Sequence, residues 1–178
     1  MAALTFTACQ TSKLVTVAVN GDTIDESNET YFINLSAASG ASISDTQGLG
    51  TITDDDTATI SINDVTVAEG DAGTVDAVFT VSLSTSSAVT VTVDYVSANN
   101  TAAAPGDFTA LSTTTLTFTA GQTSKLVTVA VNGDTIDESN ETYFINLSGA
   151  SGASISDAQG IGTITDDDTA TISINDVT

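Results

Sequence analysis

Val89-Thr90-Val91-Thr92-Val93-Asp94-Tyr95 alternates apolar and polar residues, and Leu126-Val127-Thr128-Val129-Ala130-Val131 repeats the pattern on Val127, Val129 and Val131. A period of two sends successive side chains to opposite faces of a strand. Five further segments carry the same strand chemistry, at 59–66, 75–83, 114–119, 142–148 and 160–165. Turn residues separate them: Glu69-Gly70-Asp71, Ala72-Gly73, Asn99-Asn100, Pro105-Gly106-Asp107, Ala120-Gly121, Asn132-Gly133-Asp134 and Gly149 to Gly152. No helical period is present. Seven short strands in about 110 residues, rich in Thr and Val, predict an all-β unit, an antiparallel immunoglobulin-like sandwich of two sheets. Ile60, Ile62, Val78, Val91, Val93, Val127, Val129, Tyr143, Ile145 and Leu147 are the expected inward residues.

The unit is repeated. Residues 4–66 align with 116–178 at a constant offset of 112, and 59 of those 63 positions are identical. The four exceptions are Cys9/Gly121, Ala37/Gly149, Thr46/Ala158 and Leu49/Ile161. The sequence therefore reads as tandem sandwiches: 1–57 the C-terminal half of one repeat, 58–168 a complete repeat, and 169–178 the first strand of the next. Residues 1–57 would supply four strands whose inner face lies open without the other three. Either the chain is a window on a longer array, the preferred reading, or strands of a neighbour complete it by strand addition. The second contact would be head-to-tail, and such contacts build filaments. No Gly/Ser or Pro-rich linker separates the units, which predicts a rod rather than beads on a string.

Charge sets the chemistry. There are 23 Asp and Glu against two Lys, with no His, and the net charge is −21. So acidic a chain excludes phosphate backbones and anionic membrane surfaces as partners. With no His or Arg and a single Cys, most acid–base and nucleophilic constellations cannot be assembled, and no enzymatic role is expected. Paired carboxylates could hydrolyse glycosides, but with no Trp and three Tyr the aromatic platforms of a sugar groove are missing. Alternating Thr, as in Thr115-Leu116-Thr117-Phe118-Thr119, is what a solvated strand face prefers. The lone Cys9, at the place of Gly121, makes no intramolecular disulfide. No apolar run is long enough to cross a membrane, and no secretory signal precedes Cys9; the chain is expected to start inside a longer protein.

The acids gather where strands end. Asp134, Asp137, Glu138 and Glu141 fill one turn; Asp166, Asp167 and Asp168 close the last strand; Glu69 ends the first; Asp107 sits in the Pro-Gly-Asp-Phe loop. Hard oxygen donors in excess, with no His or Cys nearby, select Ca²⁺ over zinc or copper. The runs Ala68-Glu69-Gly70, Gly106-Asp107-Phe108, Asn132 to Phe144 and Thr165-Asp166-Asp167-Asp168 resemble the Calx-β domain, known from the calcium sensor of sodium–calcium exchangers and from repeats of bacterial surface proteins. The resemblance covers 58–168. It implies that Glu69, Asp107, Asp134, Glu138, Glu141, Asp166, Asp167 and Asp168 ligate a cluster of calcium ions. One position departs from the pattern: Gly133 stands where the exchanger sensor carries another acid. The half unit repeats Asp22, Glu26, Glu29, Asp54, Asp55 and Asp56 without counterparts of Glu69 and Asp107. The expectation is a calcium-binding structural repeat of a secreted or cell-surface bacterial protein, rigidifying an adhesin or extracellular fibre with neighbouring repeats as partners. The alternative is a calcium-sensing module that controls an attached domain.

Overall fold

The computed structural model describes residues 3–177. The chain packs as two units. One comprises residues up to Asp22 together with Thr30–Ile52, and the other comprises Thr23–Glu29 with everything from Thr53 onward.

The second unit is the sandwich. Its strands are β3 (Thr59–Ile62), β4 (Val65–Ala68), β5 (Gly73–Leu83), β6 (Val91–Asn99), β7 (Thr114–Phe118), β8 (Ser124–Gly133), β9 (Glu141–Ser151), β10 (Ser154–Ile155) and β11 (Gln159–Thr165). One sheet has the order β10-β3-β5-β8 and the other β4-β11-β9-β6-β7. Most neighbours are antiparallel, but β4 runs parallel to β11 and β10 parallel to β3.

Those parallel pairs trace to the segment read as one strand over 59–66, which is two strands in different sheets. The break falls at Asn63-Asp64. The Asn63 side chain accepts from Thr80 N on β5 (2.5 Å), while the Asp64 carboxylate accepts from Ile161 N on β11 (2.7 Å). Two adjacent polar side chains thus tie the chain to each sheet as it crosses between them.

The core lies between the sheets, where Ile60, Phe79, Val81, Val91, Val93, Val127, Val129, Val131, Tyr143 and Ile145 are fully buried. Tyr143 stacks on Phe108 (centroids 4.5 Å apart) and meets Phe79 edge-on (6.1 Å), geometries that the ring quadrupole favours. Gly162 lies directly across from Tyr143, and a Cβ there would come within 2.2 Å of the ring. Of the expected inward residues only Val78 is misplaced: it is 40% exposed. Ala77, Val78 and Phe79 are all apolar, so alternation alone leaves the phase open. Phe79 takes the interior with Ala77 and Val81, and Val78 is turned out.

In the other unit, β1 (Glu29–Asn34, which enters it from Thr30) and β2 (Gln47–Ile52) form a two-stranded sheet. Gln47 Nε2 donates to Asn34 Oδ1 (2.9 Å), as Gln159 Nε2 does to Asn146 in the complete repeat. The four strands expected of residues 1–57 are only two among the described residues. Lys13 to Val19 matches Lys125 to Val131 residue for residue, yet it forms no strand. β8 is paired with β5 along ten of its residues, whereas no strand pairs with residues 13–19 among the described residues. Leu14, Val15, Val17 and Val19 are accordingly exposed. Residues 169–177 likewise form no strand and pair with none among the described residues, although they match residues 57–65.

Candidate metal centre

Four segments bring carboxylates to one end of the sandwich: the turn after β4, the β6–β7 loop, the β8–β9 loop and the exit from β11. Two groups of three form there among the described residues, Glu69 with Asp166 and Asp168, and Asp107 with Glu138 and Glu141. Within each group the ligand oxygens all lie within 4.8 Å of one another. Like charges that close repel by roughly 1–4 kcal/mol per pair at effective dielectrics of about 80 down to 20.

The backbone explains the convergence. Glu69 N donates to Thr165 O (3.2 Å), extending the β4–β11 pairing, and Gly70 N donates to Asp167 Oδ1 (2.9 Å). Gly70 adopts φ 75°, a left-handed turn suited to glycine. Asp107 Oδ2 accepts from Ala103 N (2.6 Å), and Asn132 Nδ2 donates to the carbonyls of Pro105 and Gly106, fixing the β6–β7 loop against the end of β8. Asp166 N donates to Asn140 Oδ1 (3.1 Å), joining the β8–β9 loop to the β11 exit.

Repulsion and burial leave their mark on protonation. Glu69 is 5% exposed, and its carboxyl is pushed up from 4.5 to about 7, by burial first and then by the charges of Asp134, Asp166, Glu138 and Asp168. The Glu141 carboxyl is also raised, by burial, by a hydrogen bond shared with Asp107 and by the charges of Asp107 and Glu138. Asp168 is raised by desolvation and by Asp71, Asp167, Asp166 and Asp134. Asp134 and Glu138 act on Glu69 in one group while Glu138 acts on Glu141 in the other, so the two groups form one electrostatic cluster.

Asp168 Oδ2 is buried and has no hydrogen-bond partner. An orphaned carboxylate oxygen inside an all-oxygen cluster is placed to bind a cation, and the donor set fits Ca²⁺, which takes six to eight oxygens in flexible geometry.

The residues expected to ligate divide by task. Six fall in the two groups. Asp134 faces the cluster electrostatically and accepts from Ile136 N through Oδ1 (2.7 Å). Asp167, exposed, holds the Gly70 amide. Asp71 was missed; it lies close enough to act on Asp168, and its place two residues after Glu69 in the same turn was the available signal. In the first copy, Asp54 Oδ2 accepts from Glu26 N (3.2 Å) and Asp54 N donates to Asn28 Oδ1 (2.8 Å). Asp22, Glu26, Glu29, Asp54, Asp55 and Asp56 make no three-carboxylate group among the described residues.

Gly133 has a structural reason. A Cβ there would stand 2.0 Å from Gly70 O and 2.6 Å from Glu69 O. The turn that carries Glu69 passes directly over this position, leaving no room for the acid that the exchanger pattern has there.

Fold and site together define a β-sandwich module with an acidic cation cluster at one end. The profile of the Calx-beta domain matches residues 1–66 and 51–178, and the chain belongs to that family. No curated protein matches it. Among solved structures, the apo-form Calx CBD1 domain is similar with a TM-score of 0.54 and 22% identity, covering 64% of this chain and 100% of that one. The calcium binding domain CBD12 of CALX1.1 gives 0.57 and 23%, covering 63% and 47%, so this chain spans about half of that structure's length. The Calx CBD2 domain gives 0.52 and 11%, covering 61% and 86%.

Proposed function

We propose that this chain is a calcium-binding structural repeat of a secreted or cell-surface bacterial protein, which stiffens an adhesin or extracellular fibre and has no catalytic role. The buried, unpartnered Asp168 oxygen among converging carboxylates carries the calcium part of the reading. Near-identity of the two copies, joined without a flexible linker, supports the structural part, because identical units repeat one mechanical task. Calcium would be held by Glu69, Asp166 and Asp168 and by Asp107, Glu138 and Glu141, with Asp134 contributing charge. It cancels repulsion between four chain segments and so locks the end of the sandwich.

Extracellular calcium modules work at dissociation constants of about 10⁻⁴–10⁻³ M. Ligand at 100 times its dissociation constant adds about 2.7 kcal/mol per site. Millimolar calcium is therefore expected to raise the melting temperature and EDTA to lower it; identical melting in both sinks the proposal.

A second reading, a calcium-sensing module that controls an attached domain, is favoured by the likeness to the Calx CBD1 and CBD12 structures. Isothermal titration separates the two, since sub-micromolar affinity supports a sensor and affinity near millimolar supports a scaffold.

A further inference from the structure

The segment Thr23–Glu29 belongs by sequence to the first copy, where it matches 135–141, but it packs within the unit of the complete sandwich. It sits on the turn between β5 and β6. Asp25 N donates to Ser86 O (3.1 Å) and Ala88 N donates to Asp25 O (3.0 Å), a parallel bridge across Ser87. Ser87 Oγ adds a bond to the same carbonyl (3.3 Å), and Thr85 Oγ1 donates to Thr23 O. The Asp25 carboxylate accepts from Ala58 N (3.3 Å), just ahead of β3. Ser87 is 2% exposed, one of two buried polar residues among those described, the other being Glu69.

The second copy provides the comparison. Asp137 Oδ2 accepts from Ala170 N (3.0 Å), the same bond shifted by 112 positions. No turn corresponding to Ser84–Ala88 follows within the sequence. There Ile136 and Asp137 are exposed, Ile136 at 58%, whereas Ile24 and Asp25 are half-buried. The local sequence from Gly133 to Phe144 is identical to that from Gly21 to Phe32, so the turn accounts for the difference.

We infer that Ser84-Thr85-Ser86-Ser87-Ala88 is a docking surface for the acidic Thr-Ile-Asp-Glu loop of a neighbouring repeat. Each repeat receives the loop of the one before it and offers its own to the one after. The recognition is mainly through backbone amides and carbonyls, with an aspartate capping the first strand, and it does not rest on a bound ion. Ile136-Asp137 is the loop left to be received by a further copy.

Amide hydrogen exchange on the full chain in EDTA tests this, because identical flanking sequence gives Asp25 and Asp137 the same intrinsic rate. Asp25 and Ala88 amides are expected to exchange at least about tenfold more slowly than that of Asp137. Ala88→Pro removes a donor from the seat and should bring Asp25 to the rate of Asp137 while Val129 in β8 stays protected. Equal rates for Asp25 and Asp137 in the unmutated chain overturn the inference, whether or not the proline variant folds. So does protection of Asp25 that survives Ala88→Pro unchanged.

Discussion

Glu69 is the residue on which the acidic end turns, since it is the most buried of the acids and its carboxyl titrates near 7. Without calcium, the folded state holds a proton there between about 4.5 and 7 that the unfolded chain has released. Stability conferred by that proton is complete below 4.5 and is lost as pH rises through 7. The calcium-free melting temperature should therefore fall from pH 5 to pH 7.5, and saturating calcium should flatten the fall by taking the proton's place. Glu69→Gln should make the fall shallower, leaving the part that the raised Glu141 and Asp168 carboxyls contribute, and bind calcium more weakly. A wild-type profile that rises with pH in EDTA would contradict this account. Gly133 makes the opposite point about adding charge. Gly133→Asp supplies no new ligand, because its Cβ meets the Gly70 carbonyl at 2.0 Å. Urea unfolding should show a loss of roughly 2 kcal/mol or more, with calcium affinity reduced rather than improved. Alignment of acids could locate Gly133 as a departure, but only the path of the 69–70 turn explains it.

At the level of elements, what could be read from the residues was periodicity, and what could not was pairing. Val91, Val93, Val127 and Val129 occupy the interior because their strands alternate cleanly. Val78 sits in an apolar triplet whose phase is decided by the size of Phe79. The two should differ sharply on truncation: about 3–5 kcal/mol for Phe79→Ala, and under about 1 kcal/mol for Val78→Ala, by denaturant unfolding. Comparable losses at both positions would mean that β5 is set in another register. The split at Asn63-Asp64 leaves only a small trace, two adjacent polar residues at which the apolar phase shifts from Ile60 and Ile62 to Val65 and Val67, and nothing in that shift says that the two halves join different sheets. The left-handed positions were half legible. Cys9 and Ala37 have φ of 67° and 53° where the other copy carries Gly121 and Gly149 at 80° and 61°. A Cβ in that region is strained by about 1–2 kcal/mol. Gly121→Cys in the complete repeat should lower stability by that amount, although a Cβ there would meet nothing within 4 Å.

For the molecule as a whole, the decisive contrast is between identical stretches in different company. Lys125 to Val131 lies within a ten-residue strand paired with β5, while Lys13 to Val19 has the same residues and no strand. Propensity and pattern are equal, so the difference measures what tertiary partners contribute. The two copies of the acidic loop tell the same story, Ile24 and Asp25 being half-buried where Ile136 and Asp137 are exposed. A chain in which a copy of residues 58–115 is placed ahead of Leu4 restores the missing partners to the first copy. Leu14, now 94% exposed, matches Leu126, which remains 64% exposed in β8, so that side chain faces outward in either case. Val15, Val17 and Val19 match the buried Val127, Val129 and Val131, and they are the residues that should move inside. Their amides should become as protected from exchange as those of β8, and the first copy's carboxylates should then bind calcium with the affinity of the second. Exchange at Val15, Val17 and Val19 that stays fast in the extended chain would show that pairing with β5 is not what makes this sequence a strand.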